Sequence, residues 1–485
     1  MNLTSQSILL IVLYFIVLYT ISYFTSKGAS NKSFFSANKS GRWYLVAFGM
    51  IGASLSGVTF LSVPGWVGGN GMAYMQMVLG YVIGYAVIAH VLLPVYYKMN
   101  LTSIYGYLQK RYGERTYLTG AWFFLISRTI GACFRLFLVA KVFQVLIFDP
   151  LEIHFAFNVA ITILLIWVYT LKGGVKTIIW TDTLQTFLML LAAGLTTYVL
   201  MDKMDLGFRS ALSNMKELGY AKVFHFEDWT NAKYFFNQIL SGAMITIAMT
   251  GVDQDMMQKN LTCKNINEGK KNIWSLSLSL IPVNALFLFL GGLLTLFAVQ
   301  NNLDVTKGDQ LFSTVMTSGL IPSGVAIVFL LGLVAAAYSS ADSALTSLTT
   351  SFCVDILKIE EDIPANVKKR KLVHLLVSVV LFLLILVAYW MNKDHVIKQI
   401  FIFACYTYGP LVGMFFYGLI SKREVSDKKV PYIALVSPLL AFGLTYSLNN
   451  FMGIDIGFLV LLLNSLICFS LLSLMSSGRP KDLIA

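Results

Sequence analysis

The sequence predicts an all-α polytopic membrane protein of about thirteen membrane-spanning helices, ten of them arranged as two inverted halves of five. Three observations predict it. The 485 residues are 57% hydrophobic and only 12% charged, with a mean hydropathy of +0.72, far outside the range of soluble globular chains. Runs of apolar residues, each about 18 to 30 long and so able to cross ~30 Å of hydrocarbon, begin near residues 7, 43, 72, 116, 153, 176, 234, 271, 322, 368, 397, 431 and 453. Finally, Lys and Arg collect in alternate connections, as cytoplasmic loops do.

Taken in order, Lys27, Lys32, Lys39 and Arg42 follow the first span, Lys110, Arg111 and Arg115 the third, and Lys172 and Lys176 the fifth. Lys259, Lys264, Lys270 and Lys271 follow the seventh, Lys368, Lys369, Arg370 and Lys371 the ninth, and Lys422, Arg423, Lys428 and Lys429 the eleventh. Arg479 and Lys481 lie in the tail, and Lys393 and Lys398 are the exceptions. This places the N-terminus outside and the C-terminus inside, which requires an odd number of spans. The first run has no basic region or small-residue cleavage site before it and reads as a retained helix. A net charge of +12 spread over short loops forms no single basic face, so nucleic acid is not an expected partner. Cys133, Cys263, Cys353, Cys405 and Cys468 have neither close pairs nor His partners, which excludes a disulfide framework and a zinc site.

Setting aside the first span and the last two leaves ten helices. The expected division is a peripheral helix and loop (1–42), a first five-helix repeat (43–201), an extracellular loop (202–233), a second repeat (234–421) and two C-terminal helices with a tail (422–485). No loop is long enough for a soluble catalytic domain, so an enzyme is not expected, and no obligate protein partner is evident. An odd-numbered half makes the repeats inverted, and such repeats place solute and ion at the midplane beside interrupted helices. The first helix of each half carries the interruption signal. One has Gly52 to Gly65, with Pro64; the other has Ser241-Gly242 and Thr250 to Asp255.

Residues 335 to 351 form a polar seam in an otherwise apolar span. Ser339, Ser340, Ser343 and Ser347 share one helical face, and hydroxyl and carbonyl oxygens suit a hard cation such as sodium. The absence of a His or Cys cluster argues against a transition metal. Asp342 within the seam costs at least ~2.5 kcal/mol in hydrocarbon unless it faces protein, water or an ion. Asp182 lies at a similar depth by residue count, so the two carboxylates can share one region. Arg128 and Arg135, seven residues apart in span four, each need a partner at depth. Arg135 is expected to meet either a solute carboxylate or one of the protein's acids, and Arg128 to snorkel toward the interface. Tyr406 to Pro410 is expected to break span eleven.

These motifs together resemble the sodium:solute symporter family, which includes carriers of sugars, proline, iodide, vitamins, monocarboxylates and sialic acid. The resemblance rests on Ala335 to Lys358, on Gly173-Gly174 through Trp180, Thr181, Asp182 and Gln185, on Asp253-Gln254 with Gln258-Lys259, and on Gly409-Pro410. It implies a LeuT-like fold of five-plus-five inverted repeats with sodium as coupling ion. Carried over by position, it implies a sodium site made by the carbonyls of Gly52, Leu55 and Ala336 and the hydroxyls of Ser339 and Ser340. A second sodium site is implied at Asp182 and Ser343, with Asp342 standing where some members have a hydroxyl. That extra charge either strengthens the second site or holds Arg135. Solute contacts are implied at Ser54, Ser56, Thr59, Tyr74 and Asp253, with Arg135 as in carriers of anions. The expected protein is a multi-pass carrier of the plasma or inner membrane that imports a small organic solute, with a lean to an organic anion, by alternating access. Its rivals are a proton-coupled carrier titrating Asp182 and Asp342, a sugar symporter of the same fold, and a solute sensor that does not transport.

Overall fold

The computed structural model describes residues 3–480 apart from 306–307, 360–362, 364–365 and 392–395. Lys393 and Lys481 therefore lie outside the described residues. Helices α1 (Leu3–Thr25), α2 (Trp43–Asn70), α3 (Tyr74–Lys98), α4 (Glu114–Phe143), α5 (Phe155–Gly173) and α6 (Val175–Lys203) lead to a loop that carries a short helix, Phe208–Glu217. Then follow α7 (Phe235–Gly251 continued by Gln254–Asn260), α8 (Ile266–Gln300), α9 (Ser323–Ile356), α10 (Asn366–Trp390), α11 (Val396–Ile420), α12 (Val430–Met452) and α13 (Val460–Leu474). Among the described residues, eleven helices are long and apolar enough to cross a membrane, and the bent α2 and α7 raise the number to thirteen if each is one span.

Packing shows the internal symmetry. Helix α2 runs along α8 while α7 runs along α3, and α6 packs on α9 while α11 packs on α4. Each pair is the image of the other when the helices of the first half are matched in order to those of the second. That exchange is what two inverted five-helix halves produce. Glycines allow the closest approaches: Gly242 of α7 lies against the Met77 backbone of α3, and Gly80 of α3 against the Ile239 backbone of α7. A side chain at either would force the two bent-helix partners apart. The tight α5–α6 connection needs Gly174, whose φ of 52° is in the left-handed region and which packs on Phe34.

Three expectations are corrected. Helix α11 continues through Pro410 instead of breaking there. Proline removes the donor that would have reached the Tyr406 carbonyl, and Asn464 Nδ2 of α13 supplies it at 3.0 Å, also reaching the Cys405 carbonyl at 3.2 Å. Some of the cations counted as loop charges are buried structural groups. Arg111 donates to the carbonyls of Gly418, Ser421 and Arg423, Arg370 stacks on Phe34, and Lys259 is 2% exposed. Arg128 does not snorkel, being 5% exposed and ion-paired.

Candidate functional site

Helix α2 bends by 58° between Gly57 and Thr59. The turning residue is Ser56, whose φ of 54° and ψ of 166° leave helical space. A non-glycine residue held there stores about 1–3 kcal/mol of backbone strain. The reward is geometric: around such a break the carbonyls of the preceding turn lose their regular donors. The end of the first half of α2 is pinned by Gly52, whose N–H donates to Thr186 Oγ1 of α6 at 3.1 Å.

Beside this break lies a cavity of about 80 Å³ lined by Ser54, Ser56 and Thr59 of α2, Tyr74, Tyr81 and Tyr85 of α3, and Arg128 and Arg135 of α4, with Thr246, Met249 and Thr250 of α7. The hydroxyls of Tyr74 and Tyr81 bond to each other at 2.7 Å. The space is well below the ~300 Å³ at the small end of ligand pockets, so a solute must displace side chains to enter.

Helix α7 bends by 71° between Gly251 and Gln254. Here the freed oxygens are taken by phenols: Tyr96 donates to the Gly251 carbonyl at 2.8 Å and Tyr105 to the Val252 carbonyl at 3.1 Å. Asp253 caps the second half of α7 by accepting from Met256 N at 3.1 Å, and it also accepts from the Tyr408 hydroxyl. Arg128 pairs with Asp255 and lies 3.9 Å from Asp253, while Ser343 of α9 donates to the other oxygen of Asp255 at 2.5 Å. One buried network thus joins α4, α7, α9 and α11 directly under the cavity.

The polar seam of α9 faces α2 and α6. A Cβ on Gly57 would approach Ala337 Cα to 3.4 Å, so the α2 break lies against the seam. Ser339 donates to Asp182 Oδ1 at 2.6 Å, and Ser340 to the Ala337 carbonyl at 3.0 Å; both serine oxygens keep lone pairs. Asp182 Oδ2 is 2.6 Å from Lys259 Nζ. Asp342 accepts from the Tyr169 hydroxyl at 2.7 Å, its other oxygen is buried without a hydrogen-bond partner, and it lies within electrostatic reach of Asp182 and Lys259.

Of the residues singled out from the sequence, Ser54, Ser56, Thr59, Tyr74 and Arg135 meet around the cavity. Asp253 does not line it; at 0% exposure it lies beneath, in contact with Arg128. Helix α2 packs on α9, with Gly52 of α2 against Thr186 of α6 and Ser339 of α9 on Asp182 of α6. Asp182 and Asp342 do share one region, but Ser343 turns to Asp255 and away from Asp182. Arg135 makes no ion pair or hydrogen bond among the described residues, so Asp342 does not hold it. Sequence reasoning passed over Tyr169 and gave no site role to Lys259, Asp255 or Tyr408, although all three fall in stretches it singled out. A lysine directly after the polar Asp253 to Gln258 stretch was the available signal for Lys259, and its place in a basic loop hid it.

Two broken helices that both line one cavity, set in inverted five-helix halves, are the arrangement of a secondary carrier that works by alternating access. The model of the sodium:solute symporter family matches residues 34–426. The chain belongs to that family and is a multi-pass, sodium-coupled symporter of a small solute, not an enzyme. It is 24% identical to the sodium/sialic acid symporter NanT of Aliivibrio fischeri, over 91% of this chain and 88% of that one. It is 23% identical to the sodium/sialic acid symporter SiaT of Proteus mirabilis, over 88% of this chain and 87% of that one. Its fold matches the substrate-bound outward-open state of a sodium-coupled sialic acid symporter with a TM-score of 0.82, at 19% identity, covering 98% of this chain and 97% of the other.

Proposed function

We propose that the protein imports a carboxylate-bearing, hydroxyl-rich solute such as a sialic acid together with sodium. The observation that carries this reading is the contrast between two arginines of one helix. Arg128 is ion-paired with Asp255 and lies 3.9 Å from Asp253, whereas Arg135 lines the cavity without an ion pair among the described residues, with Asp253 in electrostatic reach. A guanidinium in a dehydrated site calls for an anion, and its planar fork fits a carboxylate. Ser54, Ser56, Thr59 and the Tyr74–Tyr81 pair supply the hydroxyl contacts a sugar acid needs. The names of the relatives support the same class.

Sodium binds, in this reading, between the Gly52, Leu55 and Ala336 carbonyls and the Ser339 and Ser340 hydroxyls, an all-oxygen set suited to a hard cation. No phenol covers the carbonyls at the α2 break among the described residues, in contrast to the α7 break, and that asymmetry supports leaving them to an ion. Asp253 acts as a positioning residue that fixes Arg128 under the solute. The chain works in the plasma or inner membrane with its N-terminus outside and C-terminus inside, as one unit without an obligate protein partner. We retain 43–201 and 234–421 as the bounds of its repeats.

The test is thermal stabilisation of the purified protein by a sialic acid, a neutral hexose and a short monocarboxylate, each with and without sodium. A sialic acid should stabilise in sodium only, and Arg135→Gln should abolish the shift. Stabilisation by the hexose, unchanged in Arg135→Gln, would contradict the anion reading.

A further inference from the structure

Lys259 stands out among the buried charges because neither the proposed solute contacts nor the proposed sodium ligands give it a task. It lies in the last turn of the second half of α7, and its ammonium reaches Asp182 Oδ2 at 2.6 Å while Ser339 occupies Asp182 Oδ1. Both oxygens of this carboxylate are therefore engaged, and all three residues are at most 2% exposed. The backbone under the lysine is fixed. Thr262 Oγ1 donates to the Lys259 carbonyl at 2.6 Å, and Asn272 Nδ2 of α8 donates to Asn260 Oδ1 at 2.9 Å. An ammonium on a stem anchored in this way cannot leave as a dissolved ion does.

We propose that Lys259 is a tethered cation that takes the Asp182 carboxylate in place of a second sodium, so that transport couples to a single sodium per cycle. This rests on the sodium seam described under the proposed function. Three features carry it. A sodium at Asp182 would sit on a carboxylate that already holds an ammonium at hydrogen-bond distance, and two cations on one buried carboxylate repel strongly. Ser343, the hydroxyl that would complete such a site, donates to Asp255 instead. The charge of the pair also closes: the Lys259 ammonium balances the Asp182 carboxylate, and a sodium added to that carboxylate would leave excess positive charge in a dry interior, which is costly.

The experiment counts sodium on the purified full-length protein by equilibrium dialysis with radioactive sodium, alongside sodium activation of uptake. The wild-type protein should bind a single sodium and show hyperbolic activation. Lys259→Gln should bind a second sodium and turn sigmoidal, Lys259→Arg should stay at one, and adding Asp182→Asn to Lys259→Gln should return the count to one. Two sodium ions on the wild-type protein would overturn the tethered cation while leaving the sodium seam intact, and this arm holds even if a variant fails to fold. A folded Lys259→Gln protein that still binds one sodium would also overturn it. No sodium on the wild-type protein would remove the seam itself, and this inference with it.

Discussion

At the scale of single residues, the site works by leaving chosen groups unsatisfied. Hydrocarbon makes every uncompensated polar atom costly. Arg135 has no ion pair among the described residues and one oxygen of Asp342 no hydrogen-bond partner, whereas Arg128, Asp182 and Asp253 each have an oppositely charged partner within the protein. Ser340 is the sharpest probe of the seam, because its hydroxyl bonds only to the Ala337 carbonyl of its own helix. Ser340→Ala should weaken the sodium concentration for half-maximal uptake by roughly tenfold, the worth of ~1.4 kcal/mol, with a melting temperature near that of the wild-type protein without sodium. Unchanged sodium activation would take Ser340 out of the site. Sequence pattern could single out these serines, since four hydroxyls on one face of an apolar span have few other uses. It could not foresee the ion pair that holds Arg128 inside the protein, because the acids that make it arrive from α7, more than a hundred residues along the chain.

At the scale of elements, the helices divide into those that break and those that are rescued. Helices α2 and α7 break at the positions their small and polar residues predict, and only the second break has its carbonyls covered by tyrosines. Helix α11 carries an equally strong breaking signal in Gly409-Pro410 yet stays continuous, because Asn464 of α13 donates to the carbonyl that proline orphans. Replacing it should show this. Asn464→Leu leaves the Tyr406 carbonyl buried and unsatisfied, at a cost of about 1–3 kcal/mol, and should lower the melting temperature in detergent with little change in sodium affinity. A melting temperature equal to wild type would mean that α11 does not depend on this bond. Breaks were legible in the sequence where they stem from local residues, and illegible where a distant helix overrides them. The same limit applies to charge. Counting Lys and Arg located the loops, but Arg111, Lys259 and Arg370 are drawn into the protein by partners that no loop count reveals.

At the scale of the whole molecule, the inverted halves supply two equivalent packings of the same helices, which is the physical basis of alternating access. The network of Arg128, Asp253, Asp255, Tyr408 and Ser343 ties α4, α7, α9 and α11 together beside the cavity. Sodium provides the drive through its own concentration gradient: one sodium carried with one singly charged anion moves no net charge, so a tenfold sodium gradient, ~1.4 kcal/mol, supports about a tenfold solute gradient. The most direct measurement is uptake of a radiolabelled sialic acid into proteoliposomes under an imposed inward sodium gradient. Uptake above the equilibrium level that collapses when sodium is replaced by potassium, and is indifferent to a pH gradient, is the predicted result. Equal accumulation without sodium, following the pH gradient instead, would contradict it.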